Sequence, residues 1–168
     1  MENLMKQISI LLTKYNDWTS TFVYYIAGRG YTHSSISLED DPDTFYSFNY
    51  RGFAIETVEK HRRRGVLNSC SVTIEISDEE YDLLRLCIYD FMEKKDTYKY
   101  TRLGALCCAL RIPIRFQNAY FCSHFVAEVL EQSGAVRLDK KPWRHIPNNF
   151  IQLLEEHDGF IETRINPV

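Results

Sequence analysis

The chain has 168 residues, of which 45% are apolar, and this is enough for one sizeable hydrophobic core. The composition excludes a disordered or fibrous protein, and the net charge of −3 argues against wholesale nucleic-acid binding. No apolar run approaches the ~18 residues that a membrane-spanning helix needs, and the run at residues 8–12 is too short for a secretory signal. We therefore expect a single domain over residues 1–168, without a transmembrane segment.

The five cysteines also carry information about the setting of the protein. Their number is odd, and they lack CxxC pairs or regular spacing, so a disulfide framework or a structural zinc site is not expected. Reduced thiols fit a reducing compartment, and we expect a cytoplasmic protein without a metal or another cofactor. The sequence does not indicate an oligomeric state.

The first half of the chain is predicted to be rich in strands. The pattern predicts a strand at 8–13, a helix from 18 to about 27, a hairpin of strands at 33–38 and 44–49, and at 53–58 either a short strand or an extended loop. The basic run at residues 60–64 and Gly65 are predicted to form a loop, in which His61 is solvated.

The second half is predicted to alternate between helices and strands. We expect a strand at 70–76, a helix from 78 to about 94, a short helix at 101–110, a helix over about 118–130 that closes at Gly134, a helix at 148–156 and a strand at 161–165. Ser77 and Glu80 have the spacing of a capping box at the start of the second of these elements. Several antiparallel strands together with helices indicate an α+β fold, with the sheet packed against helices.

Cys122 is the cysteine whose position best suits chemistry. It falls in the first turn of a predicted helix, where backbone N–H groups lack intrahelical partners and the helix dipole favours a thiolate. Cys87, Cys107 and Cys108 lie in apolar helical patterns typical of core residues, and Cys70 opens a strand and could face either way. A small buried residue without chemical function is the alternative interpretation of Cys122.

A nucleophilic thiol needs a base within reach, and His33 is the best candidate. It is the first residue of the predicted strand 33–38, whose alternation places its side chain on the face of the strand away from Ile36 and Leu38. His124 is two residues from Cys122 and points to a different side of the helix, so we expect a supporting role for it. The sequence predicts chain-end or surface positions for the histidines at 145 and 157. A structural histidine is the alternative interpretation of His33.

Two motifs together resemble a known enzyme group. Residues 31–36 (Tyr-Thr-His-Ser-Ser-Ile) look like the histidine strand of circularly permuted papain-like cysteine enzymes, and residues 120–126 (Tyr-Phe-Cys-Ser-His-Phe-Val) look like their cysteine helix. This is the permuted branch of the NlpC-type superfamily, which includes YiiX-like bacterial proteins and relatives of lecithin retinol acyltransferase. Most of the chain up to Gly134 is similar to a group of uncharacterised YiiX-like proteins.

The resemblance implies a role for particular residues. It implies Cys122 as nucleophile, at a helix N-terminus, and His33 as base. The position of the family's orienting residue aligns best with Ser47, with Asn49 as the alternative and Glu56 as a more distant option. Tyr100 resembles the oxyanion-stabilising tyrosine, with Tyr98 as the alternative in the same segment.

The function implied by the resemblance is that of a cysteine hydrolase or acyltransferase. Its substrate is a small-molecule, peptide or lipid amide, ester or thioester, and the reaction passes through an acyl-cysteine. The rival hypothesis is a non-catalytic domain that keeps the fold and binds a ligand or partner in the cleft, since Ser47 cannot stabilise an imidazolium as a carboxylate does. A metal site that uses Cys122 and His33 is a third hypothesis and requires a further ligand.

Overall fold

The computed structural model describes residues 5–26 and 28–168, apart from the side chains of residues 18 and 19. In this part of the chain the strands are β1 (Met5–Tyr15), β2 (His33–Leu38), β3 (Asp41–Asn49), β4 (Gly52–Thr57), β5 (Val66–Ser77), β6 (Lys99–Tyr100), β7 (Ala119–Tyr120) and β8 (Phe160–Ile165). Six of them form an antiparallel sheet in the order β4-β3-β2-β1-β5-β8, while β6 and β7 pair in parallel.

Helices lie between these strands along the chain. They are α1 (Trp18–Ile26), α2 (Val58–Arg64), α3 (Asp78–Glu93), α4 (Arg102–Ala109), α5 (Cys122–Gln132) and α6 (Asn149–Glu155), with a short 3-10 helix at Pro142–Arg144. No described helix is both long enough and apolar enough to span a bilayer. The mixed α and β content with an antiparallel sheet is the predicted fold class.

The hydrophobic core lies on one face of the sheet, against α3 and α5. Alternate residues of β1, such as Ile8, Ile10 and Leu12, are buried there, as are Phe125 and Leu130 of α5. Burial of side chains of this size contributes about 1.5–3 kcal/mol each to folding. Because α5 packs directly on β2 and β3, the core fixes the position of its first residue relative to the start of β2.

Most predicted elements are present, and their ends shift by a few residues. The capping box is also present: Ser77 Oγ accepts from the Glu80 N–H at 3.3 Å, and Glu80 Oε2 accepts from the Ser77 N–H at 2.8 Å. The prediction of a loop at the basic run was wrong, because residues 58–64 form α2. Residue 27, the predicted end of the first helix, lies outside the described residues.

The segment that leads into β2 is held by Asn148, just before α6. Asn148 Oδ1 accepts from the Tyr31 N–H at 2.8 Å, and its Nδ2 donates to the Arg29 carbonyl at 3.1 Å. Gly30 lies between these two contacts with φ +132°, a conformation that L-residues rarely adopt. A Cβ at Gly30 would lie 2.5 Å from Asn148 Oδ1. The two hydrogen bonds of Asn148, here called the Asn148 clamp, therefore require glycine at this position.

We expect Gly30→Ala to lower the free energy of unfolding by about 2–3 kcal/mol, because the new methyl group strains the backbone and displaces Asn148 from both hydrogen bonds. Gly134→Ala is the control: Gly134 has φ +77° with no described atom within 4 Å of an added Cβ, so only the backbone penalty of about 1–2 kcal/mol applies. Urea denaturation measures both. Equal losses in the two variants would show that the clamp contributes nothing.

Candidate active site

The first turn of α5 presents the Cys122 thiol to β2. The residue before the helix, Phe121, is extended (φ −131°, ψ 169°) and makes no side-chain cap, so N–H groups at this end remain available. Burial raises the pKa of the Cys122 thiol, but the hydrogen bond and charge of His33, with backbone hydrogen bonds from Ser34 and Ser123, outweigh it. The net effect is a pKa below that of an ordinary cysteine.

His33, the first residue of β2, lies within hydrogen-bonding reach of this thiol. Its Nε2 donates to Glu56 Oε2 at 2.8 Å, which leaves Nδ1 for the sulfur. Burial lowers the pKa of His33, but the negative charge of Glu56 and hydrogen bonds to Cys122 and Glu56 outweigh it and hold the pKa well above the usual value. The directions of the Cys122 and His33 shifts both favour a thiolate–imidazolium pair.

The residue that contacts the far side of the imidazole is Glu56 of β4, whereas Ser47 was the preferred sequence candidate. The Ser47 hydroxyl donates to the Ser34 carbonyl at 2.6 Å. Since β3 lies between β2 and β4, a carboxylate from β4 reaches β2 only where β3 carries short side chains, and Ser47 is one. Asn49 is also elsewhere engaged: its Oδ1 accepts from the Arg51 N–H at 2.9 Å.

Glu56 is buried and ionised. Desolvation raises the pKa of its carboxyl group, but His33, His61 and Lys60 lower it further, so the pKa is about 2. Its position on β4 has a sequence signal that was available: Gly52, Ala54 and Glu56 alternate on the buried side of an edge strand. Glu56 is the only ionisable residue among these three buried positions, which makes it a candidate functional residue.

Sequence analysis also missed that His61 is buried next to Glu56, because it predicted a solvated position for this residue. Its side chain is only 1% exposed, and its Nε2 lies 3.7 Å from Glu56 Oε2. The hydroxyl of Tyr15 lies 2.6 Å from His61 Nδ1. Burial lowers the pKa of His61 to about 4, against the opposing charge of Glu56, so this ring is neutral near pH 7. His61 Nε2 makes no hydrogen bond to Glu56, and a neutral His61 does not compete with His33 for the charge of Glu56.

Helix α2, which carries His61, has caps that could have indicated it. The Thr57 hydroxyl accepts from the Lys60 N–H at 3.2 Å, and Gly65 closes the helix with φ 81°. The sequence pattern instead assigns Thr57 to a short strand or extended loop at 53–58, and Lys60 and Gly65 to a loop. His61 packs on the buried face of α2, and the basic side chains of residues 60 and 62–64 are exposed. The dense positive run is therefore the exposed face of a helix.

Tyr100 lines the same cleft as Cys122 and His33. The parallel pairing of β6 with β7 places Tyr100 opposite Tyr120, two residues before Cys122. Burial, together with the nearby Cys122, raises the pKa of Tyr100 to about 12, so its hydroxyl keeps its proton. Tyr98 instead packs in the aromatic cluster, with its ring centroid 4.9 Å from that of Phe91.

The remaining cysteines and histidines lie elsewhere. Cys70, Cys107 and Cys108 are buried, and all five cysteines are free thiols. His124 is buried, with its Nε2 3.5 Å from Glu128 Oε2, and it does not contact the cleft residues through any described hydrogen bond. His145 follows the short 3-10 helix near the end of the chain and is fully buried, so of the two predicted positions, chain-end or surface, the surface one is wrong.

The cleft at Cys122 encloses about 270 Å³ and is bordered by Tyr15, His33, Tyr100 and Arg102. Among the described residues, no group of three or more histidine, cysteine, aspartate or glutamate side chains has the arrangement needed to hold a metal ion. The arrangement of thiol, imidazole and carboxylate has the contacts required for nucleophilic acyl chemistry.

Comparison with known proteins provides information on the fold alone. No protein-family model matches the chain, and no curated protein matches it. Among solved structures, the metalloprotein YiiX from Escherichia coli O157:H7 is similar, with a TM-score of 0.53 and 13% sequence identity over 95% of this chain and 87% of that one. The chain therefore has a YiiX-like fold, as the resemblance of its motifs predicted.

Proposed function

We propose that this protein is a thiol hydrolase or acyltransferase with a permuted papain-like domain over residues 1–168. Its substrate is an amide, ester or thioester, and the reaction passes through an acyl-cysteine at Cys122. The observation that carries the proposal is the series of contacts from Cys122 through His33 to Glu56, in which the thiol pKa is lowered and the imidazole pKa is raised.

In the first half of the proposed reaction, the Cys122 thiolate attacks the carbonyl carbon and forms an S–C bond. The carbonyl oxygen becomes an oxyanion, which the Tyr100 hydroxyl and the Cys122 N–H stabilise. As the tetrahedral intermediate collapses, the bond to the leaving group breaks, and His33 gives that group its proton. Glu56 holds the imidazole in place and stabilises its positive charge until then.

In the second half, neutral His33 removes a proton from water or from another acceptor nucleophile. This nucleophile attacks the thioester carbonyl, the S–C bond breaks, and the thiolate–imidazolium pair is restored. Hydrolysis and acyl transfer differ only in the acceptor. Five free thiols are in keeping with the reducing, cytoplasmic setting that we expect for such an enzyme.

The non-catalytic alternative predicts an ordinary thiol, so the pH dependence of alkylation tests the proposal. We expect iodoacetamide to alkylate Cys122 with an apparent pKa below the usual 9.0, because the thiolate is favoured by His33 and by backbone N–H groups. Since a lowered thiol pKa keeps the reactive anion populated as the pH falls, the alkylation rate should decline at a lower pH than it does for an ordinary cysteine.

The control for this titration is His33→Ala, in which the apparent pKa of Cys122 should rise towards the ordinary value. Mass spectrometry of the modified peptide separates Cys122 from the other cysteines. If wild type and His33→Ala titrate alike near pH 9, the thiol is not activated and the binding-domain alternative is favoured.

A further inference from the structure

An apolar groove between α1 and α4 adjoins the candidate active site. It is lined by Phe22, Val23, Ile26, Ala105, Leu106 and Ala109, together with Tyr100 and Arg102. Three of these residues, Val23, Tyr100 and Arg102, also line the cleft that contains Cys122. An apolar group bound in the groove would therefore lie next to the reacting thiol.

The far end of this groove adjoins a cationic pocket. Ile26 and Ala109 form a wall common to both, and beyond it lie the side chains of Arg111, Lys140 and Arg144. Lys140 Nζ donates to Asn149 Oδ1 at 2.8 Å, which holds the ammonium at the pocket. Among the described residues, none of these three cations has a carboxylate within ion-pairing distance.

Three unpaired cations around one concavity repel each other and favour an anionic ligand. The chain has a net charge of −3, so this cluster is not a consequence of a generally basic surface. Some exposed cations elsewhere have acidic neighbours: Arg63 lies 2.9 Å from Glu59, and Lys94 lies 2.6 Å from Asp90. What distinguishes the pocket is that three cations line one concavity with no carboxylate among its described lining residues, an arrangement that suits an external anion.

The cleft, the apolar groove and the cationic pocket follow one another along α4, and this order indicates the shape of a substrate. The cleft of Cys122 includes Arg102 at the start of the helix, and the apolar groove is lined by its residues 102, 105, 106 and 109. The cationic pocket includes Ala109 at the end of the helix and Arg111 just beyond it. A helix of this length spans about 12 Å. We propose that the substrate is an acyl compound whose apolar chain lies in the α1–α4 groove and ends in a phosphate or carboxylate bound by Arg111, Lys140 and Arg144. This inference rests on the proposed function and adds its substrate class.

Binding of decyl phosphate, decanoate and decanol to the Cys122→Ala protein tests this substrate class apart from the chemistry. We expect decyl phosphate or decanoate to bind at least about tenfold more tightly than decanol in calorimetry at low salt, because charge-assisted hydrogen bonds add to apolar burial. The ratio of decyl phosphate to decanoate affinity identifies which anion the pocket prefers.

Two variants and a control locate the binding. Arg144→Gln, alone and with Lys140→Gln, should remove the preference for the anions and leave decanol binding unchanged, whereas Ala105→Phe should fill the groove and weaken all three ligands. Arg137→Gln, an exposed cation outside the pocket, should change nothing. An undiminished preference for the anions in the double variant, or equal binding of all ligands by the parent protein, would overturn the inference. Such a result would leave the alkylation behaviour of Cys122 untouched, so the two proposals fail separately.

Discussion

Cys122→Ala is expected to abolish the release of nitrophenolate from 4-nitrophenyl acetate at the active site. In the wild type, attack by the thiolate releases one nitrophenolate per molecule as a burst and leaves an acetyl thioester. Without the sulfur no covalent intermediate forms, and removal of a catalytic nucleophile typically lowers the rate by about 10⁴-fold or more. Stopped-flow absorbance measures the burst, and intact-protein mass spectrometry measures the added acetyl group.

The control for this loss is Cys107→Ala, which removes a buried thiol of α4 that does not line the cleft. It should retain the burst. An acetyl group that still forms in Cys122→Ala, or a burst that disappears in Cys107→Ala with the fold intact, would contradict the assignment of the nucleophile.

Glu56→Gln is expected to lower kcat/KM for the same ester by about 10³- to 10⁴-fold, because an amide in place of a carboxylate neither stabilises an imidazolium nor fixes its tautomer. The shape of the side chain is retained, so the change isolates the charge. Without this charge the pKa of His33 falls, and the Cys122 thiolate loses the cation that stabilises it. The pH–rate profile should therefore shift towards higher pH as well as fall in amplitude.

Ser47→Ala is the matched control, because Ser47 was the orienting residue suggested by the motif. Its hydroxyl bonds to the Ser34 carbonyl, so its loss should cost about 1 kcal/mol of stability and leave the pH–rate profile in place. The opposite result, a shifted profile in Ser47→Ala and an unchanged one in Glu56→Gln, would return the orienting role to Ser47.

The buried group behind His33 is larger than a triad. Glu56 lies 2.8 Å from His33 and 3.7 Å from His61, and His61 in turn lies 2.6 Å from the Tyr15 hydroxyl. Arg64 covers the Tyr15 ring, with its guanidinium carbon 3.7 Å from the ring centroid, and also pairs with Asp17 at 3.3 Å. These side chains surround a single buried carboxylate, whose hydrogen bond to His33 directs its charge at the imidazole.

The local pattern of the chain was informative where a feature depends on neighbours in sequence. Strand β2 begins at His33 as the alternation predicted, and α3 begins at Asp78 after the capping box at Ser77. Cys122 is the first residue of α5, as its helix-start pattern indicated. Each of these depends on backbone hydrogen bonds and side-chain periodicity within a few residues.

Features that join distant segments were predicted less well. Glu56 was only a remote option as the partner of His33, because its role depends on β4 lying two strands away from β2 in the sheet. His61 was assigned to a solvated loop, because the charges around it dominate the local pattern and only the docking of α2 buries it. Sequence separation alone carries no information on these contacts.

The sequence by itself determined the α+β class, most of the strands and helices, and the two residues, Cys122 and His33, that are the best candidates for chemistry. Only the tertiary structure decided that Glu56 is the group behind His33, that His61 and Tyr15 are buried beside it, and that an apolar groove lies between the cleft and a pocket lined by three cations. The physical reason is that local propensities and periodicity are written in consecutive residues, whereas sheet order and helix docking follow from how the whole core is buried. The electrostatic environment of Cys122 therefore belongs to the folded chain as a whole.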